Sequence, residues 1–118
     1  MSEDSNEATK PLSINELTKL AYQAAYDKGF WSNPRTNLEC YALIHSEISE
    51  AVEEARTDRP AMYVATATNK PEGQLIELAD AVIRIADLCG RHGWNLEQAI
   101  KLKMIYNKDR AFMHGKMA

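Results

Sequence analysis

The chain contains 118 residues, 45% of them hydrophobic, which is enough for one domain with a small core. Its formal net charge of −3 argues against non-specific binding to nucleic-acid polymers. No apolar run approaches the roughly 18 residues of a membrane span, and residues 1–10 lack the apolar core of a signal peptide. We therefore expect a cytoplasmic protein that binds neither nucleic-acid polymers nor membranes.

The polar N-terminus predicts a disordered tail over residues 1–12, which leaves 13–118 as one helical domain. The two cysteines, Cys40 and Cys89, form no CxxC or Cys/His motif, so the sequence does not predict a zinc site. Both lie in apolar stretches and are typical of small core residues in a reducing compartment.

Helix signals dominate the first half of the chain, and no segment of the sequence alternates convincingly like a strand. Two capping boxes predict where helices begin: Ser13 with Glu16, and Thr36 with Glu39. The first helix is expected over 14–28 and ends at Gly29. The second extends from its capping box to about Arg56.

The second half predicts two more helices after a turn-rich stretch. Residues 57–73 are poorly periodic and are expected to form a connector or a mobile flap. The third helix is predicted over 72–92, and Asn95, with Gln98 three residues later, caps a fourth over 96–113. Four helices with short connections predict an all-α, antiparallel four-helix bundle.

The second helix contains an acidic face formed by Glu47, Glu50 and Glu54. Their i, i+3, i+7 spacing places them together, although like charges so spaced repel by a few tenths of a kcal/mol per pair. Glu47 and Glu54 border the apolar face of this helix, and Glu50 lies just beyond. Such a face is either surrounded by solvent, the usual case for an ExxE pair alone, or neutralised by a cation.

The third helix contains a single polar stripe. The stripe consists of Glu77, Asp80, Arg84 and Asp87, and the other positions from Leu75 to Cys89 are apolar. A helix that is apolar nearly all round is expected to be buried. Buried carboxylates need a partner, a metal ion or a proton.

The two acidic helices together offer the pairs ExxE (Glu47, Glu50) and ExxD (Glu77, Asp80). Four hard oxygen ligands suit Mg²⁺ or Mn²⁺. Di-iron bundles use Glu-x-x-His pairs instead, and neither acidic pair has that form. We therefore expect divalent cations to neutralise the acidic face.

A basic stripe on the fourth helix consists of Lys103, Asn107, Arg110 and His114, spaced i, i+4, i+7 and i+11. Such a stripe is suited to charge-assisted hydrogen bonds with phosphate oxygens. The alternative is that these residues only complement the helix dipole at its C-terminal end.

Trp31, in the loop after the first helix, has two interpretations. Its ring is suited to stacking on a nucleobase, since every base offers a π-face. Alternatively, it packs between helices as a half-buried contact.

These motifs resemble the MazG-like, all-α nucleoside triphosphate pyrophosphohydrolases. The matching segments are GFW (29–31), LIHSEISEAVEEAR (43–56), ELADAVIRIADL (77–88) and KMIYNKDRAFMHGK (103–116), and the resemblance covers roughly residues 13–116. It implies hydrolysis of an NTP or dNTP to a nucleoside monophosphate and pyrophosphate. It also implies a Mg²⁺ cofactor and a homodimer or homotetramer with sites built partly across subunits.

Carried over by position, the resemblance implies four metal ligands: Glu47, Glu50, Glu77 and Asp80. The resemblance also implies that Glu54 orients a metal-bound water. For the hydrolysis itself, Glu54 or Glu50 is suited to act as the general base. The resemblance implies that Lys103, Asn107 and Arg110 contact the phosphates, and Trp31 remains the candidate for stacking on the nucleobase. Residues 57–73 match no motif of the family.

Two other functions are compatible with the same residues. One is hydrolysis of a different pyrophosphate-linked nucleotide, as in the phosphoribosyl-ATP pyrophosphohydrolase relatives of this helical superfamily. The other is a non-catalytic helical oligomer that binds only a nucleotide or a cation. The release of pyrophosphate in the presence of Mg²⁺ distinguishes a hydrolase from the non-catalytic oligomer.

Overall fold

The computed structural model describes residues 10–110, so His114 and most of the predicted N-terminal tail lie outside the described residues. The helices are α1 (Ile14–Asp27), α2 (Asn37–Ala55), α3 (Gln74–His92) and α4 (Leu96–Asp109), with a 3₁₀ helix (Phe30–Ser32) after α1. None of these described helices combines the length and hydrophobicity that a membrane-spanning helix requires.

The predicted capping residues explain where the helices begin. The side chains of Ser13 and Thr36 each accept a hydrogen bond from the backbone N–H three residues later, and both capping boxes are complete. Asn95 likewise accepts from the backbone N–H of Gln98. Left-handed residues Gly29 and Gly93 follow α1 and α3 as predicted. Residues 111–113 of the predicted fourth helix lie outside the described residues.

A β-hairpin lies in the turn-rich stretch for which the sequence predicts only a connector or a mobile flap. Strands β1 (Tyr63–Ala65) and β2 (Lys70–Glu72) pair antiparallel between α2 and α3. Each has three residues, too few to show the alternation that identifies a strand in a sequence. Asn69 closes the turn at a φ of 60°, a left-handed conformation that asparagine tolerates better than most residues.

Helix α3 is the centre of the fold, because α1 and α2 each pack along it, whereas α4 packs mainly on α1. The all-α class is confirmed, but the described residues form a three-helix layer with a flanking helix rather than an evenly packed bundle. At Gly90 the approach of α1 is so close that a Cβ atom would lie 2.4 Å from the carbonyl oxygen of Thr18. Cys40 and Cys89 are buried, as expected of core residues.

The expectation that α3 is buried nearly all round is wrong within one chain. The side of α3 that neither α1 nor α2 covers leaves three large apolar residues between 44% and 49% exposed: Leu75, Leu78 and Val82. Only two helices pack along α3, and together they cannot enclose its whole circumference. This apolar side is therefore available to a further contact.

Candidate metal and phosphate site

Three of the four predicted metal ligands lie together where α2 packs on α3. Glu47, Glu77 and Asp80 each place a carboxylate oxygen within 4.8 Å of the other two. Oxygens on opposite sides of one Mg²⁺ lie about 4 Å apart, so small rotations of these side chains would bring them to a shared cation. We call these three residues the acid triad.

The fourth predicted ligand, Glu50, is exposed and lies outside the acid triad. Its charge nevertheless reaches the triad. Burial raises the pKa of Glu77, and the negative charges of Glu50, Asp80, Glu47 and Glu54 raise it further. The acids of α2 and α3 therefore form one mutually repulsive cluster, the kind of site that a divalent cation stabilises.

Arg84, which sequence analysis placed on the polar stripe of α3 without a role, contacts the acid triad directly. Its Nε atom donates a 2.7 Å hydrogen bond to Oε2 of Glu47. Three ionised carboxylates against one guanidinium would leave two negative charges. Arg84 therefore neutralises one of the three negative charges of the acid triad. The two negative charges that remain match the charge of one divalent ion.

A cleft of about 680 Å³ opens beside the acid triad, between α1, the loop that follows it and α3. Three basic residues line it: Lys28, Arg35 and Arg84. Its acidic lining residues are Glu47, Asp80 and Asp87. The rest of the lining is Ala21, Ala24, Ala25, Gly29, Phe30 and Ile83. Small side chains on the α1 wall leave room for a ligand, and the mixed charges suit an anion that arrives with a metal ion.

Arg35 is held in place at the cleft by Phe30. Its guanidinium lies 3.9 Å from the centre of the Phe30 ring, and its Nε donates a 2.8 Å hydrogen bond to the Phe30 carbonyl oxygen. Such a cation–π contact orients the planar guanidinium. The sequence does not single out Arg35 or Lys28, because neither belongs to a periodic pattern that distinguishes it from other surface cations.

Trp31 links the loop after α1 to α3. Its indole N–H donates a 2.8 Å hydrogen bond to Oδ1 of Asp87, and its ring packs edge-on against Phe30. Phe30, rather than Trp31, is the aromatic residue among those that line the cleft. This placement favours the packing interpretation of Trp31, and its predicted contact with a nucleobase stays a prediction.

Asp87 as a whole residue is only 7% exposed, and burial raises the pKa of its carboxyl group. The hydrogen bond from Trp31 and the positive charges of Arg84 and Arg91 act in the opposite direction. Asp87 is therefore a buried acid whose ionised form depends on the loop that holds Trp31.

The predicted phosphate-binding residues of α4 lie apart from the acid triad within one chain. Lys103 and Arg110 flank the Tyr106 ring, at 4.8 Å and 5.6 Å from its centre. Within residues 10–110, Asn107 Oδ1 is buried without a hydrogen-bond partner. Because α4 packs mainly on α1, the described structure does not bring these residues into contact with the acids of α2 and α3.

Glu54, a predicted general base, lies one turn beyond Glu50 on α2 and is half-buried. Its Oε1 accepts a 3.1 Å hydrogen bond from the hydroxyl of Tyr63, on strand β1. The segment 57–73, to which sequence analysis assigned no function, therefore touches the acidic face.

Comparisons of this chain with protein-family models, curated proteins and solved structures gave no significant similarity. Its function is therefore inferred from the residues of the acid triad and the cleft, together with the motifs of the sequence.

Proposed function

We propose that the chain is a MazG-like, Mg²⁺-dependent hydrolase that cleaves an NTP or dNTP to a nucleoside monophosphate and pyrophosphate. The observation that carries this proposal is the acid triad beside a cleft lined by Lys28, Arg35 and Arg84. Carboxylates can hold a divalent cation, and basic side chains can hold phosphate oxygens. The two groups side by side therefore fit a metal–polyphosphate substrate better than either group fits it alone.

The donor set of the acid triad fits Mg²⁺, with Mn²⁺ as an alternative. Glu47, Glu77 and Asp80 offer hard oxygen ligands from two helices, and Glu50, whose charge reaches Glu77, is the proposed fourth ligand. When bound, the ion would supply positive charge against the phosphate oxygens. The raised pKa of Glu77 supports the same assignment, because a cation would favour its ionised form.

The side chains of the cleft have separate tasks in this proposal. Arg35 and Lys28 hold the phosphate oxygens, and Arg84 keeps Glu47 oriented. Glu54 accepts a proton from the attacking water. The water oxygen bonds to phosphorus, the α–β anhydride bond breaks and pyrophosphate leaves.

The proposal includes a homodimer or homotetramer. Support comes from the large apolar residues that one chain leaves exposed, on α3 (Leu75, Leu78, Val82) and on α4 (Leu102, Ile105). Contact with a second copy would bury such residues, and a site shared between subunits, as the resemblance implies, would place a partner's α4 near the cleft. Analytical ultracentrifugation at micromolar concentration is expected to show an oligomer, and a purely monomeric protein would contradict this part of the proposal.

The test of the proposed function is a panel of NTPs and dNTPs, each incubated with the protein and Mg²⁺ and assayed for pyrophosphate. We expect at least one nucleotide to yield pyrophosphate and nucleoside monophosphate in equal amounts. EDTA should abolish this reaction, and added Mg²⁺ or Mn²⁺ should restore it. Binding of nucleotide or Mg²⁺ without any pyrophosphate would favour the non-catalytic alternative. Release of pyrophosphate from phosphoribosyl-ATP alone would favour the other hydrolase.

A further inference from the structure

A short chain of hydrogen bonds joins the β-hairpin to the acidic face of α2. Arg59 Nη1 donates to the hydroxyl oxygen of Tyr63 at 2.8 Å, and that hydroxyl donates to Oε1 of Glu54 at 3.1 Å. The Arg59 guanidinium also lies 5.6 Å from the centre of the Tyr63 ring. Because Arg59 donates to the phenol oxygen, it polarises the O–H bond that Tyr63 directs at Glu54.

The hairpin itself is fixed against the start of α3. Tyr63 pairs with Glu72 across the two strands, and the backbone N–H of Leu75 donates to the carbonyl oxygen of Ala61 at 2.9 Å. At Gly73 the two backbones approach so closely that a Cβ atom would lie 2.2 Å from this same oxygen. The hairpin therefore has one attachment to the first turn of α3, which carries Glu77, and another to the last turns of α2.

The two attachments constrain Glu54 relative to the acid triad. A glutamate side chain has three rotatable bonds, and the free side chain samples many positions. The bond from Tyr63 restricts one carboxylate oxygen, Oε1. Among the described residues the Oε2 atom accepts no hydrogen bond, and the negative charge of Glu54 reaches Glu77 of the acid triad, whose pKa it helps to raise.

We propose that Tyr63 is a positioning residue for Glu54, and this rests on the function proposed above. Tyr63 holds Oε1 so that Oε2 is presented to the attacking water and accepts its proton. Tyr63 does not touch the substrate. Arg59 strengthens the hydrogen bond from Tyr63 to Glu54 by donating to the Tyr63 hydroxyl oxygen. The hairpin thereby connects the general base of α2 to the metal ligands of α3.

The test is Tyr63→Phe in the full-length protein, assayed for pyrophosphate release with Mg²⁺. A general base contributes roughly 10²- to 10⁴-fold to a rate, and a misplaced one loses part of this. We therefore expect kcat to fall about tenfold while KM and the Mg²⁺-induced rise in melting temperature stay unchanged. The control is Tyr26→Phe, which removes a hydroxyl from an exposed residue of α1 and should leave kcat unchanged.

A double-mutant cycle separates positioning from general damage to the fold. In a Glu54→Gln background, Tyr63→Phe should have no further effect on kcat, because the group that it positions is no longer a base. An equal fall in kcat in both backgrounds, or no fall in the single variant, would overturn the proposal for Tyr63 while leaving the hydrolase intact. A wild-type protein that releases no pyrophosphate would overturn both proposals.

A second variant keeps the test decisive if Tyr63→Phe does not fold. Arg59→Met leaves the phenol in place and removes the charge, the hydrogen bond and the ring contact that an exposed arginine makes with Tyr63. It should lower kcat by a smaller factor than Tyr63→Phe, again without changing KM. An unchanged kcat in Arg59→Met would contradict the assigned role of Arg59.

Discussion

The Nε atom of Arg84 lies 2.7 Å from Oε2 of Glu47, so α3 supplies a guanidinium to the most buried acid of α2. The Glu47 side chain is only 10% exposed, against 34% for Arg84. A carboxylate this well buried needs a cation or a proton. Arg84 therefore stabilises the acid triad in the absence of metal, and a bound Mg²⁺ would share Glu47 with it.

Replacing Arg84 by Met should destabilise the metal-free protein. The substitution keeps much of the side-chain volume but leaves Glu47 beside Glu77 and Asp80 without its partner. Loss of a hydrogen bond between charged groups in a half-buried site costs about 1–3 kcal/mol in the free energy of unfolding. Saturating Mg²⁺ should recover part of this loss, because the ion offsets the same repulsion. Urea unfolding with and without Mg²⁺ measures both effects.

The matched control for Arg84→Met is Arg56→Met. Arg56 forms an ion pair with Glu53 at 3.9 Å, and both side chains are 74% exposed. Exposed pairs of this kind contribute at most about 1 kcal/mol. Equal losses of stability in the two variants would show that the Arg84–Glu47 bond has no special part in stabilising the triad.

Asp87 makes the stability of the protein depend on pH. The pKa of Asp87 is raised in the folded state. At pH values between the usual aspartate pKa and this raised pKa, the folded chain therefore binds more protons than the unfolded chain. The contribution of Asp87 to the free energy of unfolding therefore falls as pH rises through that range and is constant above it. Asp87→Asn removes the titration and retains an oxygen to accept the Trp31 N–H.

The stability of wild type should accordingly decrease more, or increase less, with rising pH than that of Asp87→Asn. Denaturant unfolding at a series of pH values from the usual aspartate range upward gives the two curves, with Trp fluorescence as the signal. Parallel curves would show that Asp87 titrates alike in the folded and unfolded chains.

The phosphate-binding assignment can be tested by comparing Lys28 with Arg110. Lys28 lines the cleft, whereas Arg110 is on α4. Lys28→Gln should raise KM for the nucleotide about tenfold, because one charge-assisted hydrogen bond is lost. If the basic stripe binds phosphate oxygens, as its spacing in the sequence predicts, Arg110→Ala should raise KM or lower kcat while leaving the fold intact. Unchanged kinetics in Arg110→Ala would favour the helix-dipole interpretation of α4.

The sequence was sufficient to predict the helices because their boundaries depend on local chemistry. The capping boxes of Ser13 and Thr36, and the glycines after α1 and α3, act within a few residues of chain. The hairpin could not be predicted in the same way. Its strands are three residues long, and their attachments are to residues on α2 and α3.

The acidic part of the site was also predictable, because helical periodicity places Glu47 on one helix and Glu77 with Asp80 on the next. The cleft was not. Its basic residues, Lys28 and Arg35, come together through the packing of α1 and its loop against α3, which no spacing in the sequence encodes. The same limit applies to α4: its basic stripe is periodic, but the packing of α4 on α1 decides where the stripe lies.

The metal assignment depends most directly on Asp80. Asp80→Asn keeps the volume of the side chain and removes one charge from the acid triad, so lost packing cannot explain its effects. We expect loss of pyrophosphate release and of the Mg²⁺-induced rise in melting temperature. In wild type that stabilisation should reach about 2.7 kcal/mol when Mg²⁺ is present at 100 times its Kd.

Without metal the same variant should be at least as stable as wild type, because one of the mutually repulsive charges is gone. Glu53→Gln is the control, since it removes a charge from the exposed side of α2 and should leave the response to Mg²⁺ intact. Differential scanning fluorimetry across a Mg²⁺ titration, with Ca²⁺ in parallel, measures all three proteins. An active Asp80→Asn protein, or one that Mg²⁺ stabilises as much as wild type, would exclude Asp80 as a metal ligand.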